Sequence, residues 1–294
     1  MTRVGLSSLS RGLRRREVVS GLGALLVGCH RSSAGASSTS AATRVVSLSP
    51  STTETMALLG ARAQLVGRSR YCDYPPDVQS LPVVGGFTDP NFEAIVALRP
   101  DLVTGARGPA GPTLTERLDA RGVVTYFPPT ESIDGIVAMI DGLGERVGRR
   151  SEASALVTAM RERRNRMVEE AGQRRRVRAL LLFGTTPIVA AGPGSFTDEM
   201  LRLAGGENVL AGNGVVAAYP TLSLEQVLAA RPEVILDAAV MEHHGREGLG
   251  PTWQAVEAVQ KKHVVALADE AILRPGPRVL DGVEALRRAL DAVR

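Results

Sequence analysis

The sequence is poor in the groups from which catalytic and metal sites are usually built. Its 294 residues include only four histidines and two cysteines, and no nucleophile, base and orienting acid converge in the pattern. No GxxxxGK[ST] loop occurs, so any phosphate-cradling ATPase function belongs to a separate chain. Aromatic residues number ten, 3% of the chain, which makes each one placed in a cleft informative. A usable excess of charge is also missing. The formal charge is +4, but residues 1–28 hold five arginines and one acid, Glu17. The remaining 266 residues balance at 30 basic and 30 acidic, which excludes charge-driven binding to nucleic acid. Long apolar runs are lacking as well: Val18 to Gly28 is eleven residues, about 16 Å of helix against a ~30 Å hydrocarbon core. What is present, 44% hydrophobic and 22% charged residues, is ordinary for a globular fold and excludes disorder, a coiled coil and a collagen repeat.

The N-terminus reads as an address. Arg14 to Arg16, the apolar run and then small residues follow the order of an export signal. Leu26-Val27-Gly28-Cys29 resembles a bacterial lipobox, which implies that Cys29 carries lipid and begins the mature protein. Arg15-Arg16 before Val18-Val19 bears a partial likeness to a twin-arginine signal, so the export route stays open. The signal is expected over 1–28 and a tether over 29–43. The small polar residues from His30 to Thr43 cannot bury enough surface to fold and would span about 20 Å r.m.s.. With Cys29 acylated, Cys72 has no partner. No disulfide is expected, and Cys72 reads as a half-buried loop residue.

The body reads as α/β, with strands alternating with helices and therefore a mainly parallel sheet in each half. Strands are expected at 44–48, 101–105, 123–127, 177–183, 233–237 and 263–267. Helices are expected from Ser51 or Thr52 to Leu59, and over 113–121, 133–147, 197–204, 223–230 and 278–293. Between the halves, 151–174 reads as one amphipathic helix of about 36 Å, with a charge run on its solvated face. The second half echoes the first. Asn91-Phe-Glu-Ala-Ile-Val-Ala-Leu-Arg-Pro-Asp-Leu-Val103 matches Ser223-Leu-Glu-Gln-Val-Leu-Ala-Ala-Arg-Pro-Glu-Val-Ile235 at an offset of 132, and Thr53-Glu-Thr-Met56 matches Thr197-Asp-Glu-Met200 at 144. The expected organisation is an N-terminal lobe over 44–148, a rigid connecting helix over 149–175 and a C-terminal lobe over 176–294. The ligand cleft is expected between the lobes.

Four segments carry a resemblance: Arg44-Val-Val-Ser-Leu-Ser-Pro-Ser-Thr-Thr-Glu54, Tyr71-Cys-Asp-Tyr-Pro-Pro76, the two Glu…Arg-Pro helices, and Arg274-Pro-Gly-Pro-Arg278. The chain from 44 to 294 resembles the periplasmic substrate-binding proteins of ABC importers for cobalamin, haem and iron–siderophores. The Tyr71 segment and Tyr219-Pro-Thr-Leu-Ser-Leu-Glu225 look most like the cobalamin branch. The resemblance implies a monomer that hands a chelate to a permease with a separate ATPase subunit, and no cofactor of its own. It implies that Tyr71, Phe87 and Tyr219 line the cleft, with Phe87 and Tyr219 standing where the branch tends to carry Trp; the one tryptophan, Trp253, lies in another segment. Arg107, Asp269 and Arg274 match polar positions around the ligand, although Arg274 is equally open to pairing with an acid. Glu93 and Glu225 match the acids, one per lobe, that dock onto permease arginines. The repeat alone does not separate that role from support of the helix dipole.

Other features keep two readings. His243-His244 could ligate metal or sit in a Gly-flanked loop; no metal site is expected. The same machine with haem or an iron–siderophore as cargo is the alternative function. A different class, an exported α/β hydrolase, would need Ser195 or Cys72 as nucleophile beside a base.

Overall fold

Strand residues that alternate between two buried faces build both sheets. The computed structural model describes residues 41–107, 111–239 and 249–293; the export signal, Cys29 and the His243-His244 pair lie outside them. The first sheet comprises β1 (Val45–Ser47), β2 (Leu65–Arg68), β3 (Leu102–Thr104) and β4 (Val124–Tyr126), in the order β2-β1-β3-β4 and wholly parallel. Val45 and Leu102 face one core while Val46 and Val103 face another, the two-residue period of a strand covered on both sides. The second sheet holds β5 (Val177–Thr185), β6 (Ile188–Ala190), β7 (Gly206–Asn208), β8 (Thr221–Leu222), β9 (Val234–Asp237) and β10 (Val264–Ala266). Its order is β10-β9-β5-β6-β8, with β7 also on β5. Leu180 and Leu182 point to the outer core, Leu181 to the inner one. This sheet is mixed: β5, β7, β9 and β10 run parallel, while the β5–β6 hairpin and β8 are antiparallel.

Helices α1 (Pro50–Leu58), α2 (Phe92–Ala97), α3 (Gly111–Asp119) and α4 (Ile133–Arg146) accompany the first sheet. Helices α6 (Phe196–Leu203) and α7 (Leu224–Ala230) and the C-terminal helix Val279–Asp291 accompany the second. Helix α5 (Arg150–Gly172) runs between the two sets. Pro50 opens α1 at its first turn, where its missing N–H costs nothing. Ser49 is the N-cap, in place of the expected Ser51 or Thr52. The repeat is visible in the backbone. Asn91 Oδ1 accepts the N–H of Ala94 at 3.0 Å and Ser223 Oγ that of Gln226 at 3.3 Å. The chain turns left-handed after both helices at an arginine with φ of 47°, Arg99 one residue past the C-cap of α2 and Arg231 at that of α7, each before a proline that disfavours continued helix.

One apolar cluster joins both sheets through the helices. It contains Met56 of α1, Ile136 and Ile140 of α4, Met160 and Met167 of α5, Met200 of α6 and Leu286 of the C-terminal helix. The buried residues of α5, Ala153, Val157, Met160, Met167 and Ala171, line one face at helical spacing, whereas Ala155 and Ala159, expected on that face, are exposed. Its charge run is not simply solvated. Arg163 pairs with Asp281 at 2.6 Å and Glu284 at 2.8 Å, and Glu170 and Arg174 pair with Arg287 and Asp291. The C-terminal half of α5 and the residues just after it are thus fastened to the C-terminal helix. Ala42 and Thr43, placed in the tether by sequence, are held to the body: the Ala42 N–H donates to Arg146 O at 2.7 Å and the Thr43 N–H to Asp101 at 2.9 Å.

Candidate functional site

In open parallel sheets, ligands sit beyond the carboxyl ends of the strands. In the first lobe those ends carry three of the expected residues. Tyr71 follows β2 and is half exposed. Phe87 lies in the 85–90 loop, pinned because Arg70 forks onto Asp89 at 2.7 and 3.2 Å and lies 5.9 Å from the Tyr71 ring centroid. That fork holds the Asp89 carboxyl below its ordinary range and ties the loop bearing Phe87 to the Tyr71 segment. Gly85 is required here, since its φ is 104° and a Cβ would fall 2.5 Å from the Asp89 carbonyl oxygen. Arg107 follows β3, exposed and without an ion-pair partner among the described residues. Its neighbour Ala106 donates its N–H to Ser49 Oγ at 3.0 Å, inside a buried hydroxyl cluster of Ser47, Ser49, Ser51 and Thr52 at the start of α1.

In the second lobe Tyr219 stands before β8, its ring edge-to-face with Phe183 of β5 at 5.5 Å. The ring is half exposed while its hydroxyl turns inward toward the Thr197 side chain. Burial pushes that phenol up to about 12. The loop bearing Tyr219 packs so closely that a Cβ on Gly192 would fall 1.9 Å from Ala217 O, and only glycine fits. Val216, in the same loop, is 92% exposed. Asp269 is partly committed to structure: its Oδ1 accepts the Ala271 N–H at 3.0 Å as the cap of the turn Glu270–Ile272.

Arg274 reaches across to the first lobe. Its terminal nitrogens meet Glu54 at 3.1 Å, Asp73 at 3.0 and 3.2 Å and Glu270 at 2.7 Å. Arg278 donates to the same Glu54 at 2.8 and 2.7 Å and lies 4.5 Å over the Tyr74 ring. Hydrogen bonds to Glu54 hold the Arg278 pKa above its usual value. Glu54 is only 2% exposed. Sequence reasoning quoted Glu54, Tyr74 and Arg278 without assigning them, because the pairing joins segments more than 200 residues apart. Gly276 lets the strand of chain between the two arginines pass 3.2 Å, measured from its would-be Cβ, beside Ser51.

Glu93 and Glu225 lie in the first turns of α2 and α7, both exposed. Arg117 stands 3.7 Å from Glu93, a surface pair of small worth. The Ser223 hydroxyl draws the Glu225 pKa down, so Glu225 presents a carboxylate at neutral pH. The proposed hydrolase nucleophiles are otherwise engaged. Ser195 Oγ is buried, donates to Gly192 O at 2.9 Å and caps α6. Cys72 is fully buried, not half-buried as expected, 3.4 Å from Ser69 Oγ. Among the described residues no cluster of three or more His, Cys, Asp or Glu could hold a metal ion, and no helix is long and apolar enough to cross a membrane.

Two α/β lobes clasped through helices, with Tyr71 just after a strand of one and Tyr219 just before a strand of the other, define a two-lobed ligand-binding protein. The chain belongs to the periplasmic binding protein family, whose pattern matches residues 45–271. It is 30% identical over 253 residues, 86% of this chain and 88% of the relative, to a vitamin B12-binding protein of Yersinia pestis strain Pestoides F. The periplasmic vitamin B12-binding protein BtuF of Vibrio cholerae superposes with a TM-score of 0.74 at 30% identity, covering 86% of this chain and 98% of that one. The periplasmic heme-binding protein RhuT of Roseiflexus sp. RS-1 gives 0.72 at 27%, covering 84% and 98%. The family is a periplasmic, solute-binding one.

Proposed function

We propose that the chain is the substrate-binding component of an ABC importer, and that it captures a cobalamin-like corrinoid between its lobes for delivery to a permease with a separate ATPase subunit. The observation that carries this reading is the likeness to vitamin B12-binding relatives over 86% of the chain. Tyr71, Phe87 and Tyr219 supply apolar faces for a flat macrocycle. Arg107 offers a cation to polar substituents, and Asp269 borders the same region. Arg274 acts on the ligand only by exchanging one of its carboxylate partners for it. Glu93 and Glu225 dock onto permease arginines, one per lobe, as suits a two-fold symmetric transporter. Cys29 carries the lipid that keeps the monomer at the membrane, with the residues after it as tether.

A second cargo, haem, is favoured by the heme-binding neighbour of similar superposition. Titration of the purified full chain with cyanocobalamin and with haemin, followed by visible absorption, separates the two. Saturable spectral change with cyanocobalamin at equimolar ratio supports the corrinoid. Saturation by haemin with no response to cyanocobalamin overturns it.

A further inference from the structure

The two lobes grip each other in the same way twice. On one side Glu54, at the middle of α1, receives Arg278, the residue that precedes the C-terminal helix of the opposite lobe, and also Arg274. On the other side Glu199, in the first half of α6, accepts the N–H of Ile133, the first residue of α4 in the opposite lobe, at 2.9 Å. The second oxygen of Glu199 meets Arg164 of α5 at 3.0 Å, and Arg164 reaches Asp134 at 2.5 Å. Glu54 and Glu199 are 145 residues apart, as are Ile133 and Arg278. The two grips are thus equally spaced along the chain, although the match of Thr53–Met56 with Thr197–Met200 sets Glu54 against Asp198 rather than Glu199. In each, an acid on the first helix of a lobe holds the N-terminal end of the last helix of the other.

Both acids are sheltered, 2% and 17% exposed. If the lobes parted, Glu54 would lose Arg274 and Arg278 together, exchanging three charge-assisted hydrogen bonds for water. Arg274 would keep Glu270, its partner four residues earlier in its own lobe. The cost of opening thus falls on the acid.

We propose that Glu54 and Glu199 are positioning residues: paired latches that set the separation of the lobes. That separation fixes the width of the ligand site and the spacing of the docking acids Glu93 and Glu225. The ligand and docking parts of this inference rest on the function proposed above; the latch itself does not.

The test uses the full chain carrying Glu54→Gln, Glu199→Gln or both, with Asp73→Asn as a milder variant at a half-exposed site. Hydrogen exchange, measured without ligand, should quicken roughly tenfold in the latch segments 50–56, 132–136 and 274–280 while the strands β1, β5 and β9 keep wild-type protection. Dissociation of bound cyanocobalamin, if wild type binds it, should quicken by a similar factor. Unchanged exchange in the latch segments overturns the proposal. So does a uniform rise through the sheets, which would mark a purely global loss of stability. If wild type binds no corrinoid, the exchange arm still decides, and only the cargo reading falls.

Discussion

Tyr219 shows how far single residues can be read. Its proposed place beside a ligand rests on the scarcity of aromatic residues and on its distinctive segment. Its protonation was not, since that depends on Phe183 and Thr197, brought together by the hairpin and α6. A phenol raised from 10 to about 12 in the folded protein binds its proton more tightly there than when unfolded. Its contribution to stability is complete below pH ~10 and is lost as pH rises through about 12. Ultraviolet titration of wild type against Tyr219→Phe should give a difference spectrum of phenol ionisation with its midpoint near 12. A midpoint near 10 would show the hydroxyl exposed. Asp269 and Arg274 teach the converse: their region was legible, but their partners, the Ala271 N–H and the three carboxylates, were not.

At the scale of elements, the long periodic segments were legible to within two or three residues. The helix expected over 151–174 spans Arg150–Gly172, and that expected over 278–293 spans Val279–Asp291. Strands β2, β6, β7 and β8 were not seen. They are four residues or fewer, and their sequences Leu-Val-Gly-Arg, Ile-Val-Ala, Gly-Glu-Asn and Thr-Leu carry too little pattern for a two-residue period to register. Their omission is why the second sheet looked mainly parallel. The repeat was the strongest signal and reached down to backbone geometry at Arg99 and Arg231. Its two exposed acids carry an element-level prediction. Changing Glu93 and Glu225 together to Ala should leave ligand affinity in solution within about twofold and abolish uptake by cells, since both helices keep their capping residues. Affinity measured by calorimetry that falls tenfold, with uptake retained, would contradict docking.

For the whole molecule, the lobes are joined by more than the connecting helix that the sequence announced. One apolar cluster runs through both, ion pairs fasten α5 to the C-terminal helix, and Glu54 and Glu199 bridge directly. None of these long-range contacts is visible in one sequence, because nothing local marks which arginine meets which acid. They leave little freedom for a wide swing, so ligand capture draws on surfaces already in place, with movements of a few ångströms. The central claim is that these surfaces are aromatic and lie at Tyr71 and Tyr219. Burying about 60–80 Å² of each ring face at roughly 25 cal/mol/Å² contributes roughly 1.5–2 kcal/mol, or about 10- to 30-fold in affinity. Calorimetric titration with cyanocobalamin of wild type, Tyr71→Ala and Tyr219→Ala tests this most directly. The account predicts a dissociation constant raised about 10- to 30-fold in each variant; wild-type binding left unchanged in both would contradict it.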